Sequence, residues 1–315
     1  MRLLVTGGAG FIGSNFVHYI LGKYPDYEVV NLDALTYAGS LGNLEGLLDN
    51  PRHRFVQGRI EDGELVAELM EGVDVVINFA AESHVDRSIL EPQVFIRTNV
   101  VGTQVLLDAA LQYKVGLFCQ ISTDEVYGAL ELNSIEKFTE NSPLRPNSPY
   151  AASKTSADLL VRAYQRTYEL PAVISRCSNN YGPRQHTEKF LPTVILNALH
   201  DKPVPIYGDG LYVRDWIHVL DHCRAIDLIM SKGRIGEVYN IGPDNEWANI
   251  DLARKILQIM GKPEGLLQSV TDRPGHDRRY ALGSDKLKRE LDWKPSISFE
   301  HGLAETVRWY TEGGK

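Results

Sequence analysis

Three observations predict an α/β fold, a doubly wound parallel sheet followed by a smaller C-terminal region. Short apolar runs alternate with helical segments through the first 178 residues, a glycine-rich turn follows the first run at once, and the alternation loosens after about Asn179. Continuous apolar runs are the mark of parallel strands buried on both faces. Repeated βα order places helices on both sides of such a sheet through right-handed crossovers.

The first run, residues 2–6, ends in Gly7, Gly10 and Gly13, and a helical pattern continues from Phe11 to Leu21. Gly7 permits the turn out of the strand, Gly10 lets backbone approach a pyrophosphate, and Gly13 lets the helix pack on the sheet. The helix N-terminus offers free N–H groups and positive potential to phosphates. A second run at residues 28–32 ends at Asp33, about twenty residues beyond the glycines, where a carboxylate accepts ribose hydroxyls and repels a 2′-phosphate. These features predict a Rossmann-like NAD site. Further strands are expected at residues 55–57, 73–79, 117–122 and 172–176, with helices at 63–71, 92–113 and 150–168. After Asn179, helices are expected at 190–200, 219–231, 250–261, 284–291 and 299–312, and a strand at 236–241 returns to the sheet. The expected division is an NAD-binding domain over residues 1–178, rejoined by 236–241, and a substrate-binding region over 179–315.

The 315 residues, 43% hydrophobic, suffice for a large core, and a net charge of −8 excludes the basic footprint of general nucleic-acid binding. Cys119, Cys177 and Cys223 form neither a disulfide framework nor a zinc spacing, so free thiols in a reducing compartment and no metal are expected. No leader precedes the first strand and no apolar run reaches about 18 residues, so a cytoplasmic protein without a membrane span is expected.

Tyr150 and Lys154 form Y-x-x-x-K at a helix start, four residues apart on one face. A nearby ammonium is expected to lower the phenol pKa and make Tyr150 a base. Ser122 and Thr123 close a buried strand at its carboxyl end, where ligands of such sheets bind. Asp124 and Glu125 follow directly. A simple alcohol dehydrogenase needs neither acid, whereas removing a C–H proton and expelling a hydroxyl needs both, in different protonation states.

The segments TGGAGFIGSNF, FAAESHVDRS, STDEVYG, SPYAASK, RCSNNYGPRQ, PIYGDG, RDWIHV and DRPGHDRRY run nearly end to end. Together they resemble the nucleotide-sugar 4,6-dehydratases of the extended short-chain dehydrogenase/reductase superfamily, most closely those acting on dTDP-glucose. The resemblance implies oxidation at C4 of the sugar by NAD, loss of water across C5–C6, and hydride return to C6. It implies Tyr150 as the C4 base, Thr123 on the 4-oxygen, Glu125 as the C5 base, Asp124 as the acid for the C6 hydroxyl, and Lys154 reaching the cofactor ribose. It places Gly7, Gly10, Phe11, Ile12 and Gly13 at the pyrophosphate and Asp33, Ala34, Leu35 and Thr36 at the adenosine ribose. Ala80 and Ala81 are expected along the cofactor, Ser83 beside the sugar, and Asn99 and Asn180 on the nicotinamide side. Asn179, Lys189, Phe190, Arg214 and Arg273 are assigned to the nucleotide sugar, Pro205, Ile206 and Tyr207 to a face for its base, and Asn249 and His276 to the rest of that pocket. One departure is Gly58-Arg59-Ile60, where these dehydratases usually carry Asp in place of Arg59, opposite adenine. The resemblance also implies a homodimer through the helices at 92–113 and 150–168. A 4-epimerase or decarboxylase sharing Tyr150 and NAD is the alternative enzyme, and a dinucleotide-sensing scaffold the alternative outside catalysis.

Overall fold

A computed structural model describes residues 1–314. Seven parallel strands form the central sheet: β1 (Arg2–Thr6), β2 (Glu28–Asp33), β3 (His53–Gln57), β4 (Val75–Asn78), β5 (Leu117–Thr123), β6 (Ala172–Cys177) and, later in the chain, β10 (Val238–Ile241). Their order is β10-β6-β5-β4-β1-β2-β3. The order reverses direction beside β1, the switch point at which open α/β sheets bind ligands beyond their carboxyl ends. Alternation along β1 sends Leu3 and Val5 into one core and Leu4 into the other. Helices Phe11–Lys23 and Val219–Lys232 cover the first face, and Gly63–Met70, Thr103–Gln112 and Pro149–Tyr168 cover the second.

The strand expected at 236–241 pairs in parallel with β6, Val238 opposite Ile174. Helix Val219–Lys232 also belongs to the sheet layer, where Tyr19 donates to Asp227 at 2.9 Å. The chain after Asn179 therefore crosses between layers more than once. Its own core gathers Leu191, Ile195, Trp216, Leu252 and Leu303. Small strands frame this region and were not foreseen in the sequence: β7 (Asn179–Tyr181), β8 (Val204–Tyr207), β9 (Val213–His218), β11 (Glu246–Ala248) and β12 (Leu267–Val270). Four of the five have only three or four residues, too short a period to read, and β9 has six.

The long helix expected at 92–113 spans Pro92–Gln112 but widens to a π-helical turn over Ile96–Gly102. Such turns gather at functional sites. Here the turn carries Asn99, whose amide donates to the Glu82 carbonyl at 3.0 Å and to Ser153 at 2.8 Å. This helix contains an 18-residue stretch of mean hydropathy 1.2, but Arg97, Asn99, Gln104 and Asp108 interrupt it, so no unbroken apolar run of that length occurs. It packs one side on the second core, through Leu106, Leu107 and Ala110.

Candidate active site

Gly7 and Gly13 of the first turn are set by contacts a side chain would violate, while at Gly10 a Cβ would meet only the Gly7 carbonyl oxygen, at 3.3 Å. Gly7 has φ of +71°, and a Cβ there would lie 2.6 Å from the Ala80 nitrogen; at Gly13 it would lie 2.3 Å from the Gly7 carbonyl oxygen. The turn is thus drawn against β4 and the helix against the turn, leaving a concave backbone surface. Asp33 closes that surface: its carboxylate accepts from Ala9 N at 2.9 Å and Leu35 N at 2.8 Å, which fixes it at the end of β2. Burial raises its pKa against those hydrogen bonds. A glycine-lined backbone surface at a helix start, facing a backbone-anchored carboxylate, fits a dinucleotide.

One continuous cavity runs from this surface across the sheet ends. It is lined by Gly7, Gly10, Phe11, Ile12, Gly13, Asp33, Ala34, Thr36, Arg59, Ile60, Ala80, Ala81, Ser83, Thr123, Asp124, Glu125, Tyr150, Lys154, Asn179, Asn180 and Lys189, all foreseen in the sequence. Leu35 and Asn99 lie outside the lining. Leu35 has φ of +49° and serves the turn that holds Asp33, while buried Asn99 ties the Glu82 backbone to Ser153.

Glu61, which the sequence reading did not single out, also lines the cavity with its side chain 8% exposed, between Arg59 and Thr98. Arg59 itself is half in solvent. A carboxylate is therefore present at this end of the cavity despite the departure at Arg59, two residues further on. Its nearness to Gly58-Arg59-Ile60 was the available signal.

At the other end the acids follow β5. Thr123 caps a single 3-10 turn, Asp124–Tyr127, accepting from Glu125 N at 3.3 Å and donating to Asp124 Oδ1 at 3.2 Å. Asp124 Oδ2 is buried without a hydrogen-bond partner. Burial and then the Glu125 charge raise the Asp124 carboxyl well above its ordinary range. Burial also raises Glu125, but Arg273, Arg214 and Lys189 pull it back. One acid favours its proton and its neighbour is placed among cations.

Tyr150 and Lys154 enter from helix Pro149–Tyr168, whose start is fixed by Pro149 at its first position and by Ser148 accepting from Ala151 N at 3.1 Å. Lys154 Nζ donates to the Ile121 carbonyl at 2.7 Å. The expected lowering of the phenol pKa is not seen in this state. Burial, followed by the Glu125 charge, pushes Tyr150 well above its usual value. The cause is position: the ammonium is held against the β5 carbonyl, while carboxylates face the phenol.

Asn180 is locked by its surroundings. Its amide donates to the Ser178 carbonyl at 3.0 Å, so its oxygen accepts from Nδ1 of fully buried His222 at 2.8 Å. Burial keeps that imidazole neutral, with its pKa pushed down to about 3.

Of the C-terminal residues assigned to the nucleotide sugar, Asn179 and Lys189 line this cavity, whereas Phe190, Pro205, Ile206, Tyr207, Arg214, Asn249, Arg273 and His276 do not. Arg214 is buried beneath it, its guanidinium on the Val213 and Asp277 carbonyls and 4.2 Å from the Tyr280 ring. Arg273 and Tyr207 converge on Asp86, each at 3.1 Å. His276 stacks on Tyr212 with ring centroids 3.6 Å apart and bonds Asp272 at 2.7 Å. Asn249 opens helix Asn249–Ile259 with a buried side-chain oxygen lacking a partner. Pro205 and Tyr207 point outward from β8, but Ile206, 3% exposed, points into the core. Strand alternation excludes Ile206 from an outer face. Phe190 packs on Trp216 in the C-terminal core at the head of its helix.

Residues 4–306 match the model of a family described as GDP-mannose 4,6 dehydratase. The chain is 54% identical over 310 residues to the low-salt glycan biosynthesis protein Agl12 of Haloferax volcanii, covering 98% of each. It is 52% identical to a dTDP-glucose 4,6-dehydratase of Xanthomonas campestris pv. campestris, covering 98% of this chain and 92% of that one. Among solved structures, DesIV, a dTDP-glucose 4,6-dehydratase of Streptomyces venezuelae with NAD bound, superposes with a TM-score of 0.97 at 52% identity, over 99% of this chain and 98% of that one. A UDP-glucuronic acid 4-epimerase of Bacillus cereus superposes with a TM-score of 0.94 at 30% identity, over 99% of each.

Proposed function

The chain belongs to the GDP-mannose 4,6-dehydratase family, and from that premise we propose that it is an NAD-dependent dTDP-glucose 4,6-dehydratase, a hydro-lyase yielding dTDP-4-keto-6-deoxyglucose and water. Epimerases share the fold closely, so the fold alone does not choose the reaction. The observation that carries the choice is the Asp124–Glu125 pair at the end of β5, two carboxyls in unlike environments beside Thr123 and Tyr150.

When bound along Gly7–Gly13 and Asp33, NAD supplies the hydride acceptor for C4 and the hydride donor for C6. Tyr150 takes the C4 hydroxyl proton, and Thr123 holds the 4-oxygen. The resulting ketone acidifies the C5 hydrogen, which Glu125 removes, and C5 regains a proton that has exchanged with solvent at Glu125 when C6 is reduced. Asp124, with the higher proton affinity, protonates the departing C6 hydroxyl. Lys154 orients the ribose beside Tyr150. Lys189, Arg214 and Arg273 supply cationic charge for the diphosphate. Tyr207 and Pro205 offer the base an outward face, and Asn249 and His276 complete that pocket.

Turnover of dTDP-glucose in deuterated water tests this assignment. One deuterium at C5 of a 4-keto-6-deoxy product is expected. A C4 epimer, or a product with protium at C5, overturns it.

The same reading includes a homodimer. Around helices Pro92–Gln112 and Pro149–Tyr168 lie Leu90 at 81% exposure, Leu159, Ile96 and Val101, apolar surface that a symmetry mate covers in a four-helix interface. Three free, buried cysteines suit a reducing compartment, and the cytoplasm is the proposed location.

A further inference from the structure

Between the acid-bearing turn and helix Pro149–Tyr168 lies a buried chain of polar side chains. Arg176 stands on β6 in a row across three strands, opposite Ser122 of β5 and Asn240 of β10. On β6, Val173 and Cys177 point into the first core and Ala172 and Ile174 into the second, so alternation turns Arg176 to the second face, the one covered by helix Pro149–Tyr168. There Nε donates to Asp158 Oδ2 at 2.9 Å and Nη1 donates to the Tyr127 hydroxyl at 2.9 Å. That hydroxyl donates in turn to Asn240 Oδ1 at 2.8 Å. The Arg176 and Asp158 side chains are 5% and 1% exposed.

The two ends of this chain belong to the two halves of the chemistry. Tyr127 is the last residue of the turn that carries Asp124 and Glu125. Asp158 lies one helical turn beyond Lys154 on the same face of the helix that carries Tyr150. A four-residue 3-10 turn has poor hydrogen-bond geometry of its own, so its tilt depends on what anchors its far end. The Tyr127 ring stacks on Phe138 at 5.1 Å, an apolar contact that sets no direction for the turn. The hydroxyl, held between a planar guanidinium and an amide, sets that direction.

We propose that Tyr127 and Arg176 are positioning residues for the elimination step, locking the acid turn to the Tyr150–Lys154 helix so that Glu125 reaches C5 while C4 lies at Tyr150. The proposal rests on the dehydratase reading. Loss of the lock tilts Glu125 and leaves Tyr150 and Lys154, on a separate helix, in place. It therefore separates C5 proton removal from C4 oxidation, which a general loss of fold stability does not do.

Tyr127→Phe, which keeps the ring, tests this in single turnovers of dTDP-glucose in deuterated water. Absorbance of the reduced bound cofactor reports C4 oxidation, and deuterium at C5 reports elimination. Oxidation and KM are expected to stay within about twofold while C5 exchange slows by about tenfold or more, the scale of sub-ångström misplacement at a reacting centre. Asn240→Ala, which removes the acceptor of the same hydroxyl, is expected to give the same split. Equal slowing of both steps, or native C5 exchange in either folded variant, overturns the proposal. Failure of both variants to fold overturns it as well, because the network is then an element of the fold alone. Native protein that oxidises C4 without C5 exchange sinks the dehydratase reading itself, a different result from native exchange with unsplit variants.

Discussion

Residues 124 and 125 are adjacent in sequence yet sit in unlike environments, and the acid and base roles proposed for them follow from that difference. Asp124 has one unpartnered buried oxygen and a carboxylate neighbour; Glu125 faces Arg273, Arg214 and Lys189. The pH dependence of elimination follows. The active form has Glu125 ionised and Asp124 protonated, so the rate falls at low pH as Glu125 gains its proton and at high pH as Asp124 loses its own. Both limbs lie above the ordinary carboxylate range, because both groups are raised. Glu125→Gln is expected to slow C5 exchange by about 100- to 10,000-fold with C4 oxidation retained. Asp124→Asn is expected to slow water loss by a similar factor, about 100- to 10,000-fold, and to abolish the alkaline limb. Single-turnover traces across pH check both. Tyr150 adds a sign that the spacing of Y-x-x-x-K alone misses. With its pKa raised by burial and Glu125, the phenol of the free enzyme stays protonated throughout the physiological range. Becoming a base requires cationic charge to be brought beside it.

Elements carry these residues because strand ends and helix starts meet at one edge of the sheet. β1 delivers the glycine turn, β2 delivers Asp33, β5 delivers Thr123 and the acids, and Ser148 and Pro149 start the Tyr150 helix. The helix packing at Gly13 is steric and can be tested alone, since its backbone has no positive φ. A Cβ would sit 2.3 Å from the Gly7 carbonyl oxygen and 2.9 Å from Gly8 Cα, both backbone atoms. Gly13→Ala is expected to destabilise the protein by about 1–3 kcal/mol, the usual cost of overpacking, and to lower the NAD retained through purification. Denaturant unfolding and released-nucleotide absorbance measure the two effects. Unchanged retention would place the cofactor elsewhere. Elements absent from the sequence reading include the short strands after Asn179, the helix Val85–Leu90 and the π-helical turn at Ile96–Gly102, each no more than seven residues and too short to show a period clearly.

At the scale of the molecule, the C-terminal region closes over the sheet ends without forming a separate chain segment. Helix Val219–Lys232 and β10 return to the nucleotide-binding layer, and Arg214, Lys189 and Arg273 bring charge toward acids set on β5. Asp86, from the sheet side, meets Tyr207 and Arg273 from the other. The apolar helix faces that this arrangement leaves uncovered set the expected assembly. Sedimentation at micromolar concentration is expected to show a dimer of about twice 35.3 kDa. Replacing Leu90 and Ile96 together by Glu is expected to yield monomer. A native monomer at that concentration rejects the four-helix interface.

The sequence by itself determined which chemical groups the protein possesses and the order in which they stand along the chain. Glycine spacing, the carboxylate after β2, the acid pair after β5 and the Tyr–Lys pair on one helix face are local patterns, and local patterns survive in a linear string. Only the tertiary structure decided how those groups behave. It placed Glu61 in the cavity, turned Ile206 inward, withdrew Asn99 into a strap, raised Tyr150, and set Asp124 apart from Glu125. Burial and charge at a site come from residues far apart in the chain, Arg214 and Arg273 beside Glu125 among them, and no spacing rule encodes them.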